Sequence, residues 1–313
     1  MSPSPSDGRN QKRARFHRGN SALTSPTKVP NAPNPTPPSN LPPPGRPAAL
    51  VPAPIRPAME LLASLLAEER WLFPAFFVMY AAIYCVGQLV VFRRWAPRQR
   101  LDGASCLISL FHGTPAALAA AGVILALPPE YRSFAAPNAR LQDHVLDYSV
   151  AYFTMDLLHY LAFLPGDVLF IAHHLATLFV FLTCRYIVRH GAYALLVLLV
   201  LAEVTSLLQN VWTLAGIWRD QSPAAARVYR VLSPPFYVLY TLVRGVAGPL
   251  FLLKMAVFYL SGQAIDVIPW WVRISWIVVV GTAIAVSNLW IWNLWKELFS
   301  ERNQAVEKAK KDT

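Results

Sequence analysis

The stretch VLFIAHHLATLFVFLTCRYI, residues 168–187, decides the fold. At 1.5 Å rise per residue its length reaches about 30 Å, the thickness of a hydrocarbon core. Backbone groups at that depth must be bonded internally, which an unbroken apolar run achieves as a helix, whereas barrel strands are shorter and alternate in polarity. Working outward, similar windows fall near 71–92, 105–127, 148–164, 192–218, 235–260 and 270–295, with 148–164 the weakest. The expectation is an all-α polytopic membrane protein of about seven transmembrane helices. Composition agrees: 55% of residues are apolar and only 14% charged, far from a typical soluble domain.

Outside the spans the chain changes character. Residues 1–58 are rich in Pro and Ser, carry scattered Arg and Lys with Asp7 as the one acid, and read as a disordered basic tail. Residues 59–97 hold the first transmembrane helix, 98–299 the main membrane domain and 300–313 a charged C-terminal tail. The leader has the acid-poor composition of a transit peptide, but its prolines oppose the amphipathic helix such peptides form, and no cleavable secretory signal is visible. Cys85, Cys106 and Cys184 lie in apolar segments without metal-type spacing and read as buried free thiols.

The net charge of +11 does not point to nucleic acid, because the basic residues sit in loops and tails beside spans, where they set topology and meet anionic headgroups. With seven spans, one side gathers twelve Arg and Lys, from Arg93 to Lys311, and the other gathers seven, from Arg56 to Arg273. The richer side is expected in the cytosol, which places the C-terminus there and the leader outside it.

Polar residues recur inside the apolar segments, and at membrane depth such groups face a protein interior or a cavity. His173 and His174 are adjacent, so they diverge by about 100° around a helix and cannot share one role. Pro165-Gly166 followed by Asp167, a helix N-cap type, predicts a tight hairpin between the third and fourth spans. Counted from that turn, His159, His173, Asp156, His174 and Thr177 lie roughly 9 to 15 Å deep. Ser109 and His112 on the second span, Glu203 on the fifth and Arg244 on the sixth fall in the same layer. Asp156 and His159 form an i, i+3 pair able to touch. Glu203, Ser206, Asn210 and Thr213 form one stripe, and Tyr237, Thr241, Arg244 and Gly248 another, both expected to face inward.

A plainer reading stands beside each of these. Interhelical hydrogen bonds and buried ion pairs hold bundles together without chemistry, and this suits Ser109, His112, Thr177, Ser206 and Asn210, while Arg244 with Glu203 reads equally well as a structural pair. Two desolvated imidazoles are a costly way to build a core, so His173 and His174 carry the functional expectation.

The segment Asp167-Val168-Leu169-Phe170-Ile171-Ala172-His173-His174-Leu175-Ala176-Thr177, with Leu201-Ala202-Glu203 in the next span and the run 244–249 beyond, resembles the Lag motif of the TLC-domain family. That family includes ceramide synthases, the translocating-chain-associated membrane protein and lipid-homeostasis proteins of the endoplasmic reticulum. The resemblance covers roughly 98–298 and implies six helices in a barrel around a lipid-sized central cavity, preceded by an extra helix. It also implies membrane lipids or fatty acyl chains as partners and the endoplasmic reticulum as location, with a plastid envelope as the alternative suggested by the leader. By motif position, the acyl-transfer roles of the synthases fall on His173, His174 and Glu203. A neutral imidazole there would take a proton from an attacking amine or hydroxyl, or be acylated itself, with the carboxylate in support. The synthases carry an Asp-Asp pair where this chain has Glu203-Val204.

Three functions follow as expectations. The first is a lipid-homeostasis protein that binds or senses a lipid in an intramembrane cavity lined by Ser109, His112, Asp156, His159, Thr177, Ser206, Asn210, Tyr237, Thr241 and Arg244. The second is an acyltransferase taking acyl-coenzyme A as co-substrate and no resident cofactor. The third, a metal-dependent lipid hydroxylase or hydrolase, is disfavoured because no H-E-x-x-H pattern is present and the histidines diverge; transport is a minor fourth. Oligomeric state is open.

Overall fold

The computed structural model describes residues 71–311, so the leader expected over 1–58 and the start of the first helix lie outside the described residues. Among the described residues the regular structure is helical, and six helical rods are long and apolar enough to cross a membrane. In chain order, α1 is Leu72–Val86, continued by a π-helical turn Gly87–Val91, and α2 is Pro97–Ala126. Helix α3 is Arg140–Phe163, and α4 is Val168–Leu182 with a π-helical end Thr183–Val188. The fifth rod is broken into α5, Ala192–Glu203, and α6, Ser206–Trp218. The sixth joins α7, Pro223–Tyr240, through a π-helical segment Thr241–Ala247 to α8, Gly248–Leu260, and α9 is Trp270–Lys311.

Helix α3 is the one long rod too polar to qualify as a span by composition, and its burial explains why. It packs against α1, α2, α4 and α5, and half of its 24 residues are buried, Asp147, Ser149, Asp156 and His159 among them. A helix enclosed by protein rather than lipid is free to carry polar groups, provided each finds a partner.

Two irregularities are absorbed locally. Pro115 lies inside α2, where it removes one backbone donor and frees the Phe111 carbonyl; the Tyr148 hydroxyl of α3 donates to that carbonyl instead. At the other end of the bundle the chain between α4 and α5 turns back through Arg189 and Gly191, both with positive φ. A Cβ at Gly191 would lie 3.0 Å from the Trp276 ring, so backbone freedom and space both require glycine there.

The predicted hairpin forms, with a correction at its cap. Asp167 occupies the N-cap position of α4, but its side chain makes no capping bond; it accepts instead from Arg98 at 3.3 Å, tying the turn to the start of α2. Helix α2 begins at Pro97 and α7 at Pro223, both well before the apolar windows that announced them, because a proline fits the first helical position and basic residues, Arg98 and Arg100 in one and Arg227 and Arg230 in the other, extend each helix ahead of its apolar run. Among the described cysteines Cys184 is buried, Cys106 half-buried and Cys85 exposed, so burial does not hold for Cys85.

Candidate functional site

Side chains of α2, α3 and α4 build the polar layer around one carboxylate. Asp156 Oδ2 is 2.9 Å from His174 Nε2, and its Oδ1 accepts from Ser105 at 2.8 Å. The Tyr152 hydroxyl, one turn earlier on α3, donates to Oδ2 at 3.4 Å. His174 Nδ1 lies 2.7 Å from the Phe170 carbonyl, which only accepts, so Nδ1 carries a hydrogen. One further proton is then shared between Nε2 and Asp156, and both ring nitrogens of His174 are committed. Asp156 and His174 are buried.

His173 faces the other way, its ring 5.4 Å from that of His174 and at 89° to it. It is exposed to a cavity of about 140 Å³ and has no hydrogen bond to its ring nitrogens among the described residues. The cavity lies between α4, α5, the π-helical segment before α8, and α9; Leu198, Val243, Val280 and Ile284 supply apolar wall, and His173, Thr177, Glu203, Arg244 and Ser287 its polar groups.

The break between α5 and α6 shapes that polar end. Helix α5 stops at Glu203, two residues of turn follow, and α6 starts at Ser206. Ser206 Oγ donates to Glu203 Oε2 at 2.6 Å, leaving the other carboxylate oxygen without a partner among the described residues. The Arg244 guanidinium donates to the Ala202 carbonyl, which the break has released from helical bonding. Arg244 and Glu203 share the cavity without forming a direct ion pair, and the Arg244 Nε is enclosed with no acceptor among the described residues. The approach of α2 to the break depends on Gly113, where a Cβ would come within 2.4 Å of Ser206 and 2.7 Å of Glu203 Oε2.

Of the residues singled out in the sequence, His173, Thr177, Glu203 and Arg244 line the cavity. His174 and Asp156 sit directly behind His173. The others occupy helix interfaces. His112 stacks on Tyr152 with ring centres 4.1 Å apart and meets Ser149 Oγ at 3.1 Å. His159 turns away from Asp156 to face α1, where its Nδ1 is 2.8 Å from the Tyr84 hydroxyl. Asn210 donates to Ser109 at 3.0 Å, joining α6 to α2. Tyr237 is buried against Trp212 and Trp295, and Thr241 accepts from the Trp295 indole at 3.0 Å. The stripe from Tyr237 to Gly248 thus divides, its first half packing on aromatics and its second half lining the cavity. The stripe from Glu203 is interrupted by the turn at Val204 and Thr205.

Sequence reading passed over a second polar cluster at the far end of α3. Arg185 on the π-helical end of α4 clasps Asp147 with two bonds, Nε at 3.0 Å and a terminal nitrogen at 3.1 Å, and reaches Asp143 at 3.1 Å. Tyr186 donates to Asp147 at 2.6 Å. The Asn138 side chain donates to Asp143 at 3.1 Å and accepts from the Ala192 backbone at 3.0 Å, so the loop before α3 joins the start of α5. Asp143 and Asp147, at i, i+4 in a weakly apolar span, were the available signal.

These elements define a class: a polytopic helical membrane protein with a polar-ended, apolar-walled cavity between its rods. The TLC-domain family model matches residues 102–296, and the chain belongs to that family. It is 58% identical over 231 residues to a TLC domain-containing protein of Arabidopsis thaliana, spanning 73% of this chain and 90% of that one. No solved structure matches. Among the described residues no cluster of three or more His, Cys, Asp or Glu is arranged to hold a metal ion.

Proposed function

We propose that the protein binds a lipid or fatty acyl chain in the cavity beside His173 and acts in lipid homeostasis at the endoplasmic reticulum, its C-terminus in the cytosol. The observation that carries this reading is the cavity itself, apolar along most of its wall and polar where His173, Glu203 and Arg244 meet. Pockets of this make-up bury a hydrocarbon tail by the hydrophobic effect and orient the head through a few placed polar groups. The test is to purify the full chain in mild detergent and identify co-purifying lipid by mass spectrometry. A defined lipid retained by the wild type and reduced by His173→Ala supports the reading; a sample carrying only the bulk lipids of the host membrane contradicts it.

A second reading, acyl transfer from acyl-coenzyme A, is favoured by the division of labour between the histidines. His174 is fixed by Asp156 and the Phe170 carbonyl, while His173 keeps uncommitted nitrogens in the same cavity as the Glu203 carboxylate. A free imidazole in a cavity that also holds a carboxylate has the chemistry of a general base or an acyl acceptor. Incubation of the wild type and His173→Ala with a panel of acyl-coenzyme A donors and long-chain amines or alcohols decides it. Turnover by the wild type that falls at least about a hundredfold in the variant, the scale of a general-base contribution, selects the enzyme; equal rates reject it.

A further inference from the structure

We infer that the cavity selects an uncharged, hydroxyl-bearing head on a single hydrocarbon tail, a lipid of monoacylglycerol type, over carboxylate-headed or ammonium-headed lipids. This rests on the lipid-binding reading and adds the chemistry of the ligand. Size is the first argument. A volume of about 140 Å³ offers roughly ten water-sized positions, room for a small head and the first methylenes of one chain. The rest of the tail extends past the apolar wall, and a second chain and a phosphate would have to lie outside this space as well.

Charge is the second. The polar end holds one cation, Arg244, and one carboxylate, Glu203, which are not bonded to each other. They compensate in the field but not by contact, so a head carrying either charge meets an opposing ion and a like ion in the same small space. Desolvating a charged head in such a site is not offset. A hydroxyl meets no like charge. Its hydrogen matches the unpartnered oxygen of Glu203, its lone pairs match a guanidinium or His173 N–H, and the imidazole serves as donor or acceptor. Thr177 donates to the His173 carbonyl at 2.9 Å, so its oxygen contributes only acceptor capacity.

The balance between Arg244 and Glu203 makes the inference breakable by single substitutions. The experiment uses the full chain in nanodiscs and three photoactivatable probes with the same 18-carbon diazirine tail and different heads: a glycerol ester, a carboxylate and a primary amine. Cross-linked peptides of α4, α5 and α9 are quantified by mass spectrometry. The wild type is expected to label with the glycerol ester at least about fivefold more than with either charged probe, and each charge substitution to change the relevant ratio about tenfold, the effect of 1.4 kcal/mol. Glu203→Gln shifts preference toward the carboxylate, and Arg244→Gln toward the amine. Arg244→Lys, which keeps the charge should the glutamine variant fail to fold, retains the wild-type order. A charged probe preferred by the wild type, or an order unchanged in Glu203→Gln, overturns the inference while leaving lipid binding intact. Absence of cavity labelling by all three probes removes lipid binding itself and the inference with it.

Discussion

Helices α3 and α4 are joined by an aspartate at each end of their contact, and the two junctions are built for different work. At one end Asp147 receives two bonds from Arg185 and one from Tyr186, and Asp143 with Asn138 closes the cluster. Arginine keeps its charge at any accessible pH and its fork matches a carboxylate, so this junction has one state. At the other end Asp156 holds His174, a partner that exchanges a proton, one position from a histidine open to a cavity. The same carboxylate-to-cation device serves as a fixed clamp in one place and as the support of a candidate site in the other. What separates them is the titratable partner and the adjoining space, not burial, since both aspartates are buried.

If the clamp is purely structural, breaking it has the largest effect. Asp147→Ala takes from the buried Arg185 the carboxylate that receives two of its bonds and is expected to cost about 3–5 kcal/mol, seen as loss of folded protein on size-exclusion chromatography and thermal unfolding in detergent. The double variant Asp147→Leu with Arg185→Leu should recover part of that loss, because the guanidinium is no longer buried without Asp147, while Asp143 gives up its Arg185 bond and keeps the one from Asn138. Asp156→Asn keeps the shape of the other junction and one acceptor oxygen, so its cost is smaller, about 1.5–3 kcal/mol by the same unfolding measurement. A cost for Asp156→Asn equal to that of Asp147→Ala would erase the distinction between the two ends.

Smaller changes sharpen the comparison. Tyr148→Phe withdraws the donor that the Phe111 carbonyl receives in place of the one removed by Pro115, at about 1 kcal/mol. His173→Ala removes a side chain that holds no hydrogen bond among the described residues and lines a cavity, and is expected to move stability by less than about 0.5 kcal/mol while reducing co-purified lipid. A large loss of stability in His173→Ala would make the histidine a packing residue and dissolve the site.

Much of the fold was legible because hydrocarbon thickness dictates span length, and runs such as 168–187 have no other stable arrangement in a membrane. The polar layer was legible for the same reason, since imidazoles and carboxylates stand out against apolar neighbours. Partners were not. Spacing at i, i+3 allowed Asp156 to touch His159, but the helices beside α3 decide otherwise, α4 and α2 claiming the first and α1 the second. The broken rod at Val204 and Thr205 carries no proline or glycine at the break itself, so the sequence reads as a continuous helical stripe there, whereas the π-helical segment Thr241–Ala247 holds Gly245 and runs into Gly248-Pro249. Arg185 entered only as a charge near the membrane surface, because nothing local reveals that its guanidinium turns inward to Asp147.

The central claim is that the cavity beside His173 holds a lipid, and filling it tests that most directly. Ala283, a small residue on the α9 side of the cavity, is replaced by Trp, and native mass spectrometry counts lipid bound per chain in wild type and variant. Bound lipid in the wild type, lost in Ala283→Trp with an unchanged unfolding midpoint, is the predicted result. Equal lipid in both proteins, or none in the wild type, would contradict it.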